Sequence, residues 1–254
     1  MNKKISAEIK NIINILTTRL KYILNDNLLA IYITGSISYG GFDPGKSDID
    51  LVIIINKELM KVQLNNIIEL HLSLTEKYPI WGNRLECSYI TPEMLNNINI
   101  PIKGRLYINN GKVYTDALYG NEWLINLHTL YECGINVYGP CIKEMIKIPI
   151  DINEVRKASK QDLYQNWASL LNDCSILKNS EYNAYIVLTL CRILYREKND
   201  DIVPKNKATI WVKEHYKGKW SSIIEKAENY KHGQVLNMTR EVLIFLKFVL
   251  QELR

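Results

Sequence analysis

Two carboxylates stand two residues apart at the start of an apolar run, in Ser47-Asp48-Ile49-Asp50. Side chains alternate between the faces of a strand, so Asp48 and Asp50 point the same way and repel each other. A divalent cation relieves that repulsion, and Mg²⁺ is commonly held by one or two carboxylates together with substrate phosphates. Two such ions can clamp the attacking and leaving oxygens in phosphoryl chemistry. The pair predicts metal-dependent phosphoryl chemistry, with two Mg²⁺ ions expected; the alternative is two aspartates that only keep an edge strand soluble.

Gly35 and Ser36 supply a candidate phosphate site ahead of the aspartates. They follow residues 28–34, a short apolar run that predicts a buried strand. Glycine lets backbone N–H groups approach a phosphate closely, and the hydroxyls of Ser36 and Ser47 can donate to phosphate oxygens. An Asp-x-Asp pair is common by itself, but an apolar strand, Gly-Ser, a loop and then Asp-x-Asp is rarely accidental. The chain has no G-x-x-x-x-G-K-[ST], which excludes an ordinary P-loop.

The secondary structure that the sequence predicts changes near Pro149. Before it, runs of strand type alternate with helical periodicity, and after it the pattern is helical almost throughout. We therefore expect an α/β N-terminal domain, residues 1–149, followed by a helical bundle, residues 150–254. The predicted helices are 9–24, 57–77, 121–134, 163–177, 183–196, 220–230 and 235–253, and the predicted strands are 28–34, 48–55, 84–90 and 104–116, the last with a turn at 109–111.

The composition of the chain is that of an ordinary globular protein, with 254 residues, 47% hydrophobic residues and a net charge of +5. No run of five basic residues is present, so a nucleic-acid partner is not expected. The five cysteines are odd in number and form no C-x-x-C, which argues against a disulfide framework or a zinc site and favours a reducing compartment. Without an apolar leader or a membrane-length apolar stretch, we expect a cytoplasmic protein with no membrane partner.

The Gly-Ser, spacer and Asp-x-Asp pattern resembles the motif of the polymerase-β-type nucleotidyltransferase superfamily. Nearly the full chain is similar to the streptomycin/spectinomycin adenylyltransferases, which join such a domain to a helical C-terminal domain. The resemblance implies an α+β fold, with a mixed β-sheet flanked by helices in residues 1–149 and an all-α bundle in residues 150–254 that completes the nucleotide and acceptor sites. It implies Mg²⁺-dependent transfer of AMP from ATP to a hydroxyl of a small cationic antibiotic, conferring resistance, by a monomeric enzyme.

The same resemblance assigns roles outside the Asp-x-Asp segment. Glu86, in Arg84-Leu-Glu-Cys-Ser88, matches the family's catalytic base and would be a third acidic residue at the metal site. Burying an acidic side chain in an apolar strand costs free energy unless the charge is paired or serves a function. A salt bridge to Arg84 is the alternative to the catalytic role. Arg192, in Leu188-Thr-Leu-Cys-Arg192, matches a residue that meets the triphosphate, and a buried ion pair is its alternative role.

Two further residues of the helical region are candidate nucleotide contacts. Lys205, in Pro204-Lys205-Asn-Lys-Ala, matches the family's triphosphate lysine, and the alternative is a solvated surface lysine. Tyr230 matches a nucleotide contact, although its helical spacing also fits core packing. Both residues are therefore predicted nucleotide ligands for which a structural role stays open.

The segments that would bind the acceptor differ from the corresponding segments of the family. The family's G-E-W segment is replaced by a stretch around Tyr107 that contains no Trp, and Glu181 is the single carboxylate just before the L-T-L-x-R helix. Cationic drugs need carboxylates and a stacking face. Glu181, Tyr107 and Glu122 are the candidate acceptor residues, and a lincosamide, a protein or an RNA end stays open as acceptor. A non-catalytic nucleotide-binding module is a further alternative, which the retention of all three acidic residues disfavours.

Overall fold

The computed structural model describes residues 5–199, 203–231 and 233–254 of the chain. They form two compact units, one containing the chain through Phe42 and Ser47–Pro149, the other Asp43–Lys46 and Ile150–Arg254. The first unit contains helices α1 (Ala7–Leu24), α2 (Gly35–Ser38), α3 (Lys61–Lys77), α4 (Pro79–Gly82), α5 (Pro92–Leu95), α6 (Glu122–Cys133) and α7 (Ile142–Met145) and strands β1 (Leu28–Ile33), β2 (Ile49–Ile55), β3 (Leu85–Ile90), β4 (Arg105–Asn109), β5 (Lys112–Ala117) and β6 (Ile135–Tyr138). The second unit contains α8 (Ile152–Asp162), α9 (Ser180–Lys198), α10 (Lys205–His215), α11 (Ser221–Asn229) and α12 (Thr239–Glu252).

The described strands form one mixed sheet in the order β5-β4-β3-β2-β1-β6. Strands β2 and β3 run parallel, and the other four neighbouring pairs are antiparallel. The parallel pair lies near the centre of the sheet, where β2 is an almost unbroken Ile-, Leu- and Val-rich run typical of strands covered on their faces. Strands β2 and β3, which carry Asp50 and Glu86, are thus each hydrogen-bonded to a neighbouring strand on both sides.

Helix α1 shows how the sequence builds the core of the first unit. The Ser6 hydroxyl accepts a hydrogen bond from the Ile9 backbone N–H at 3.2 Å, which caps the first turn. Its apolar residues recur at helical spacing, and Ile9, Leu16 and Leu20 are fully buried in a core shared with β1, β2 and β3. The helix ends at Asn25, which has a positive φ of 46°. The apolar stripe of α1 therefore packs against the sheet and forms part of the core of the first unit.

The second unit packs around α9. One helix face and much of its flanks are apolar, with Ile186, Val187 and Leu190 fully buried against residues of α10, α11 and α12. A helix that is buried on most of its circumference is the centre of a bundle, so polar residues that remain on it have a defined role. None of the described helices, α9 included, combines the length and the apolarity that crossing a membrane requires.

The predicted fold class is confirmed: a mixed six-stranded sheet flanked by helices and a helical second region. The prediction of one helix over 163–177 is wrong, because this segment consists of a π-helical turn at Leu163–Trp167 and 3-10 turns at Ala168–Leu171 and Ser175–Lys178. The Asp162 carboxylate accepts hydrogen bonds from side chains four and five residues later, which fits a widened turn. The Asp173 carboxylate accepts from a backbone N–H two residues on, a local turn that competes with a helix.

Several predicted boundaries also shift. Helix α3 begins at Lys61 rather than 57, and α12 begins at Thr239 rather than 235. The edge strand β6, helices α8 and α10 and the four-residue helices α2, α4, α5 and α7 were not predicted as separate elements. Strand β6 offers too little alternation for a strand signal, since none of its four residues is fully buried.

Candidate active site

The pairing of β2 with β3 places the three candidate carboxylates on neighbouring segments of the sheet. Asp50 and Glu86 are direct partners in the parallel register, and Asp48 lies one residue before β2. The neighbours Ile49 and Leu51 are buried, whereas Asp48, Asp50 and Glu86 are half-buried. By strand alternation the carboxylates share the face opposite to these apolar side chains. The parallel pairing thus adds Glu86 to the Asp-x-Asp pair that the sequence already placed on one face.

Gly35 brings the backbone against one of these carboxylates. Its φ is +61°, and a Cβ at this position would lie only 1.9 Å from Asp50 Oδ2. The Thr34 N–H donates to the Asp50 carbonyl at 2.9 Å and fixes the approach of the segment to β2. Only glycine combines this backbone conformation with the required space. The predicted Gly-Ser turn therefore begins in contact with the predicted metal carboxylate.

The Ser36 hydroxyl is buried and has no hydrogen-bond partner among the described residues. Its neighbour Ser38, in the same short helix, donates to the Gly35 carbonyl at 2.9 Å. A buried hydroxyl without a partner costs about 1–3 kcal/mol, so a protein retains one where a ligand oxygen can satisfy it. The Ser36 hydroxyl and the glycine approach to Asp50 are the features expected of a phosphate-binding turn.

Arg84 organises the other end of the Asp-x-Asp segment. Its Nε lies 3.5 Å from Asp48 Oδ1, and its guanidinium donates to the Ser47 carbonyl and lies 4.6 Å from the centroid of the Trp81 ring. Arg84 thus contacts both the backbone of Ser47, a predicted phosphate contact, and the first carboxylate. Sequence reasoning considered Arg84 only as a partner of Glu86 and missed its contact with Asp48; a cation at the start of an apolar strand was the available signal.

The face around Glu86 is electronegative. Burial raises the pKa of the Cys87 thiol, and the charges of Glu86 and Asp50 raise it further. Burial also raises the pKa of Tyr107, with Glu86 as the next cause through its charge and through a hydrogen bond with the phenol. Tyr107, predicted to bind the acceptor, is therefore bonded to the predicted base.

The donor set on this face fits Mg²⁺. Within residues 5–199, 203–231 and 233–254, no group of three or more His, Cys, Asp or Glu side chains is arranged to hold a metal ion. Mg²⁺ does not require such a cage, because one or two carboxylates, substrate phosphates and water suffice. Asp48 and Asp50 supply the carboxylates, and the Ser36 hydroxyl is a donor without a partner among the described residues that a phosphate oxygen could satisfy. The metal site at Asp48 and Asp50 stays a prediction that these features fit, and Glu86 as its third member stays a prediction without such support.

Arg192 is the clearest anion-binding candidate of the second unit. It lies half-buried on α9, and its Nε is buried with no hydrogen-bond partner among the described residues. The next turn carries Arg196, whose pKa is lowered to about 10, first by burial and then by the charge of Arg192. Two arginines at this spacing repel each other, and an anionic ligand would relieve that repulsion. Among the residues that the structure describes, no hydrogen-bond partner is found for the Arg192 Nε, as the ion-pair alternative would require.

The other predicted residues of the second unit form two small groups. Lys205 begins α10, and its Nζ lies 5.3 Å from the centroid of the Tyr185 ring. Tyr230 follows α11 and is 9% exposed, and its pKa is raised by burial and then by the charge of Glu181. Tyr230 is thus largely a core residue, as its helical spacing allowed, with Glu181 near its hydroxyl.

Glu122 is the remaining predicted acceptor residue. It begins α6, and its Oε1 accepts a hydrogen bond from the Gly120 N–H at 2.9 Å. A carboxylate in the first turn is also favoured by the helix dipole. The pKa of Tyr119 is raised mainly by burial and to a smaller extent by Glu122 and Glu86. Glu122 therefore has a helix-start role in the structure, at the margin of the Glu86 region.

Comparisons with known proteins agree with these features. Residues 9–99 match the family profile described as a nucleotidyltransferase domain, and residues 148–250 match that of the aminoglycoside adenylyltransferase C-terminal domain. The chain is similar to an aminoglycoside (3'') (9) adenylyltransferase of Klebsiella pneumoniae, with 23% identity over 242 residues, 91% of this chain and 87% of the relative. A relative of the same name from Escherichia coli is 23% identical over 245 residues, 92% of this chain and 89% of the relative.

The fold is also found among solved structures. A crystal structure of spectinomycin adenyltransferase from Enterococcus faecialis with ATP and spectinomycin matches with a TM-score of 0.74 and 19% sequence identity. The match covers 96% of this chain and 98% of that one. At this identity the likeness establishes the fold, and the residues of the site must be argued from their own surroundings.

Proposed function

This chain is a nucleotidyltransferase with the C-terminal domain of the aminoglycoside adenylyltransferases, and on that premise we propose that it transfers AMP from ATP to an antibiotic hydroxyl. The proposed acceptor is an aminoglycoside-type drug of the streptomycin/spectinomycin class, and the consequence is resistance to it. The relatives named above act on such drugs according to their descriptions, and a similar structure contains ATP and spectinomycin. We further propose Mg²⁺ as the cofactor.

One observation supports this proposal more than any other. Asp50 lies against the backbone at Gly35 and is paired with Glu86 across β2 and β3, and the residue after Gly35, Ser36, has a buried hydroxyl with no hydrogen-bond partner among the described residues. A binding module needs the phosphate contacts but has no use for a paired carboxylate on the next strand. Phosphoryl chemistry needs both, because charge on the phosphate must be neutralised and the attacking hydroxyl must lose a proton.

The roles follow from this arrangement. Bound at Asp48 and Asp50, Mg²⁺ would neutralise charge on the triphosphate and polarise the α-phosphate. Gly35, Ser36 and Ser47 hold phosphate oxygens. The acceptor oxygen bonds to the α-phosphorus, the bond from that phosphorus to the oxygen bridging to the β-phosphate breaks, and pyrophosphate leaves with the electron pair. Glu86 takes the acceptor proton and is also the candidate third metal ligand.

The helical unit supplies cationic nucleotide contacts in this proposal. Arg192, whose planar fork suits phosphate oxygens, and Lys205, a compact point charge, bind the triphosphate. Tyr230 packs against the nucleotide, while Glu181, with Glu122, interacts with the cationic acceptor. Residues 1–149 are then the catalytic domain and residues 150–254 the nucleotide- and acceptor-binding helical domain. Five free cysteines and the use of ATP support a cytoplasmic location.

Arg192→Met is expected to raise KM for ATP about 10- to 100-fold, because charge-assisted hydrogen bonds contribute roughly 1.5–3 kcal/mol. The melting temperature should not fall, since the substitution removes a buried N–H that has no hydrogen-bond partner in the described part of the chain and ends the repulsion with Arg196. Steady-state kinetics and thermal unfolding measure the two effects. Arg240→Met, at an exposed position of α12, is the control. A destabilised Arg192→Met protein with an unchanged KM would assign Arg192 a structural role.

The acceptor is identified by pyrophosphate release from ATP and Mg²⁺ across streptomycin, spectinomycin, other aminoglycosides and lincosamides. We expect release that depends on streptomycin or spectinomycin and disappears without an acceptor. Turnover restricted to a lincosamide would keep the reaction and change the acceptor. An RNA acceptor would show a steep loss of rate with added salt, which a small drug would not. ATP binding without release on any acceptor would favour the non-catalytic alternative.

A further inference from the structure

The Glu86 carboxylate has a hydrogen-bond donor on the neighbouring strand. Strands β3 and β4 are antiparallel, with Tyr107 directly opposite Ser88. Glu86 is two residues from Ser88 and so lies on the same face, diagonal to Tyr107. Diagonal neighbours lie about 7–8 Å apart at their Cα atoms, a distance that an aromatic side chain can span. Burial raises the pKa of Tyr107, and the charge of Glu86 and a hydrogen bond with its side chain raise it further, which agrees with a Tyr107 hydroxyl placed near Glu86 by this register.

Asn109 determines which way this hydrogen bond runs. Its Nδ2 donates to the Tyr107 hydroxyl oxygen at 3.0 Å. A phenol has a single hydrogen, and an ionised carboxylate can only accept. With Asn109 donating to the oxygen, the Tyr107 hydrogen is directed to Glu86. Asn109, Tyr107 and Glu86 form a chain of donors and acceptors that ends on the carboxylate.

The ring of Tyr107 packs against neighbouring side chains. The Arg105 guanidinium lies 4.7 Å from the ring centroid, and the ring of Tyr114, across the β4–β5 pair, lies 6.0 Å away. Arg105 is itself 8% exposed and donates to the carbonyls of Ala117 at 2.9 Å and Leu118 at 3.0 Å. An anchored arginine beside a packed ring leaves the hydroxyl little freedom.

We propose that Tyr107 is a positioning residue for Glu86, with Asn109 directing its hydroxyl, and not a contact of the acceptor. This inference rests on the proposed function, in which Glu86 removes the acceptor proton. A carboxylate that has one oxygen bonded to Tyr107 is restrained in rotation and presents the other oxygen in a fixed direction. A general base must lie within hydrogen-bond reach of the proton it takes, so this restraint acts on the chemical step.

The kinetic test compares Tyr107→Phe with Tyr114→Phe in the full-length protein. Tyr107→Phe keeps the ring and removes the donor, and we expect kcat to fall about tenfold with KM for ATP unchanged, the size of one hydrogen bond to a charged group. Tyr114→Phe removes a hydroxyl from the neighbouring, half-exposed ring and should retain the wild-type kcat. An unchanged kcat in Tyr107→Phe, or an equal loss in both variants, would overturn the positioning role.

A stability cycle tests the hydrogen bond without turnover. Urea unfolding of wild type, Tyr107→Phe, Glu86→Gln and the double variant should be non-additive, with the unfolding equilibrium constant of the double variant departing about tenfold from the product of the single effects. Additive effects would contradict the inferred contact. If the wild type releases no pyrophosphate with any acceptor, the proposed function fails, while this cycle still decides whether Tyr107 holds Glu86.

Discussion

Asp50→Asn is expected to lower the rate of AMP transfer by about 10³-fold or more without unfolding the protein. The carboxylate lies against Gly35 and is the cross-strand partner of Glu86; burial raises the pKa of the Cys87 thiol, and the charges of Glu86 and Asp50 raise it further. Removing the charge weakens a metal ligand, and metal-assisted neutralisation of phosphate charge contributes several kcal/mol, where each 1.4 kcal/mol corresponds to a factor of ten. Pyrophosphate release under saturating ATP measures the effect.

Stability separates this expected loss from misfolding. Asp50→Asn removes a charge that Glu86 and Asp48 repel, so its unfolding free energy should equal or exceed that of the wild type. Glu69→Gln, which neutralises an exposed carboxylate on α3, is the control and should keep both activity and stability. If Asp50→Asn retained a rate within about tenfold of wild type, Asp50 would not be a metal ligand of this reaction.

Gly35→Ala is expected to reduce activity about 100-fold while costing only about 1–2 kcal/mol of stability. The new Cβ would lie 1.9 Å from Asp50 Oδ2, so the carboxylate must move. Oδ2 and Cγ, the latter at 2.5 Å, can rotate away with the Asp50 side chain, and Asp50 Cβ at 3.0 Å needs only a small shift, so the positive φ of +61° remains the main cost in stability. A displacement of about 1 Å in a catalytic group is enough to cost two orders of magnitude in rate.

The matched control for this substitution is Gly218→Ala. Gly218 has a similar φ of +75°, but a Cβ there would meet its nearest neighbour, Ser221 Oγ, at an ordinary 3.6 Å. It should therefore lose comparable stability and keep its activity. Parallel kinetics and thermal unfolding separate the strain of the backbone from displacement of Asp50. Equal activity losses in the two variants would show that the contact with Asp50 has no special role.

The Asp-x-Asp and Gly-Ser pairs could be recognised from the sequence because their geometry is local. Alternation along one strand places Asp48 and Asp50 on a common face, and a glycine before a serine is itself the signal of a close backbone approach. The position of Glu86 could not be recognised from local pattern alone, since its pairing with Asp50 comes from the parallel register of β2 and β3. The sequence suggested its role only through resemblance to a known family.

Contacts across strands were beyond the reach of the sequence. The role proposed here for Tyr107 depends on such a contact, because β4 pairs with β3 in a register that puts Tyr107 diagonal to Glu86, and no pattern within the chain reveals that register. The pairing of Arg84 with Asp48 was missed for the same reason. In the segment 163–177, the apolar spacing predicted a helix, but hydrogen bonds of Asp162 and Asp173 to nearby groups produced turns instead. Side-chain competition of this kind overrides periodicity.

The central claim is that the bond broken in ATP lies between the α- and β-phosphates. Incubation of the protein and Mg²⁺ with spectinomycin or streptomycin, using ATP labelled with ³²P at either the α- or the γ-phosphate, tests it directly. Transfer of AMP predicts that the α-label appears on the drug, that the γ-label is recovered in pyrophosphate, and that a chelator abolishes both. Recovery of the γ-label on the drug with release of ADP, or labelling of the drug that persists in the Asp50→Asn protein, would contradict it.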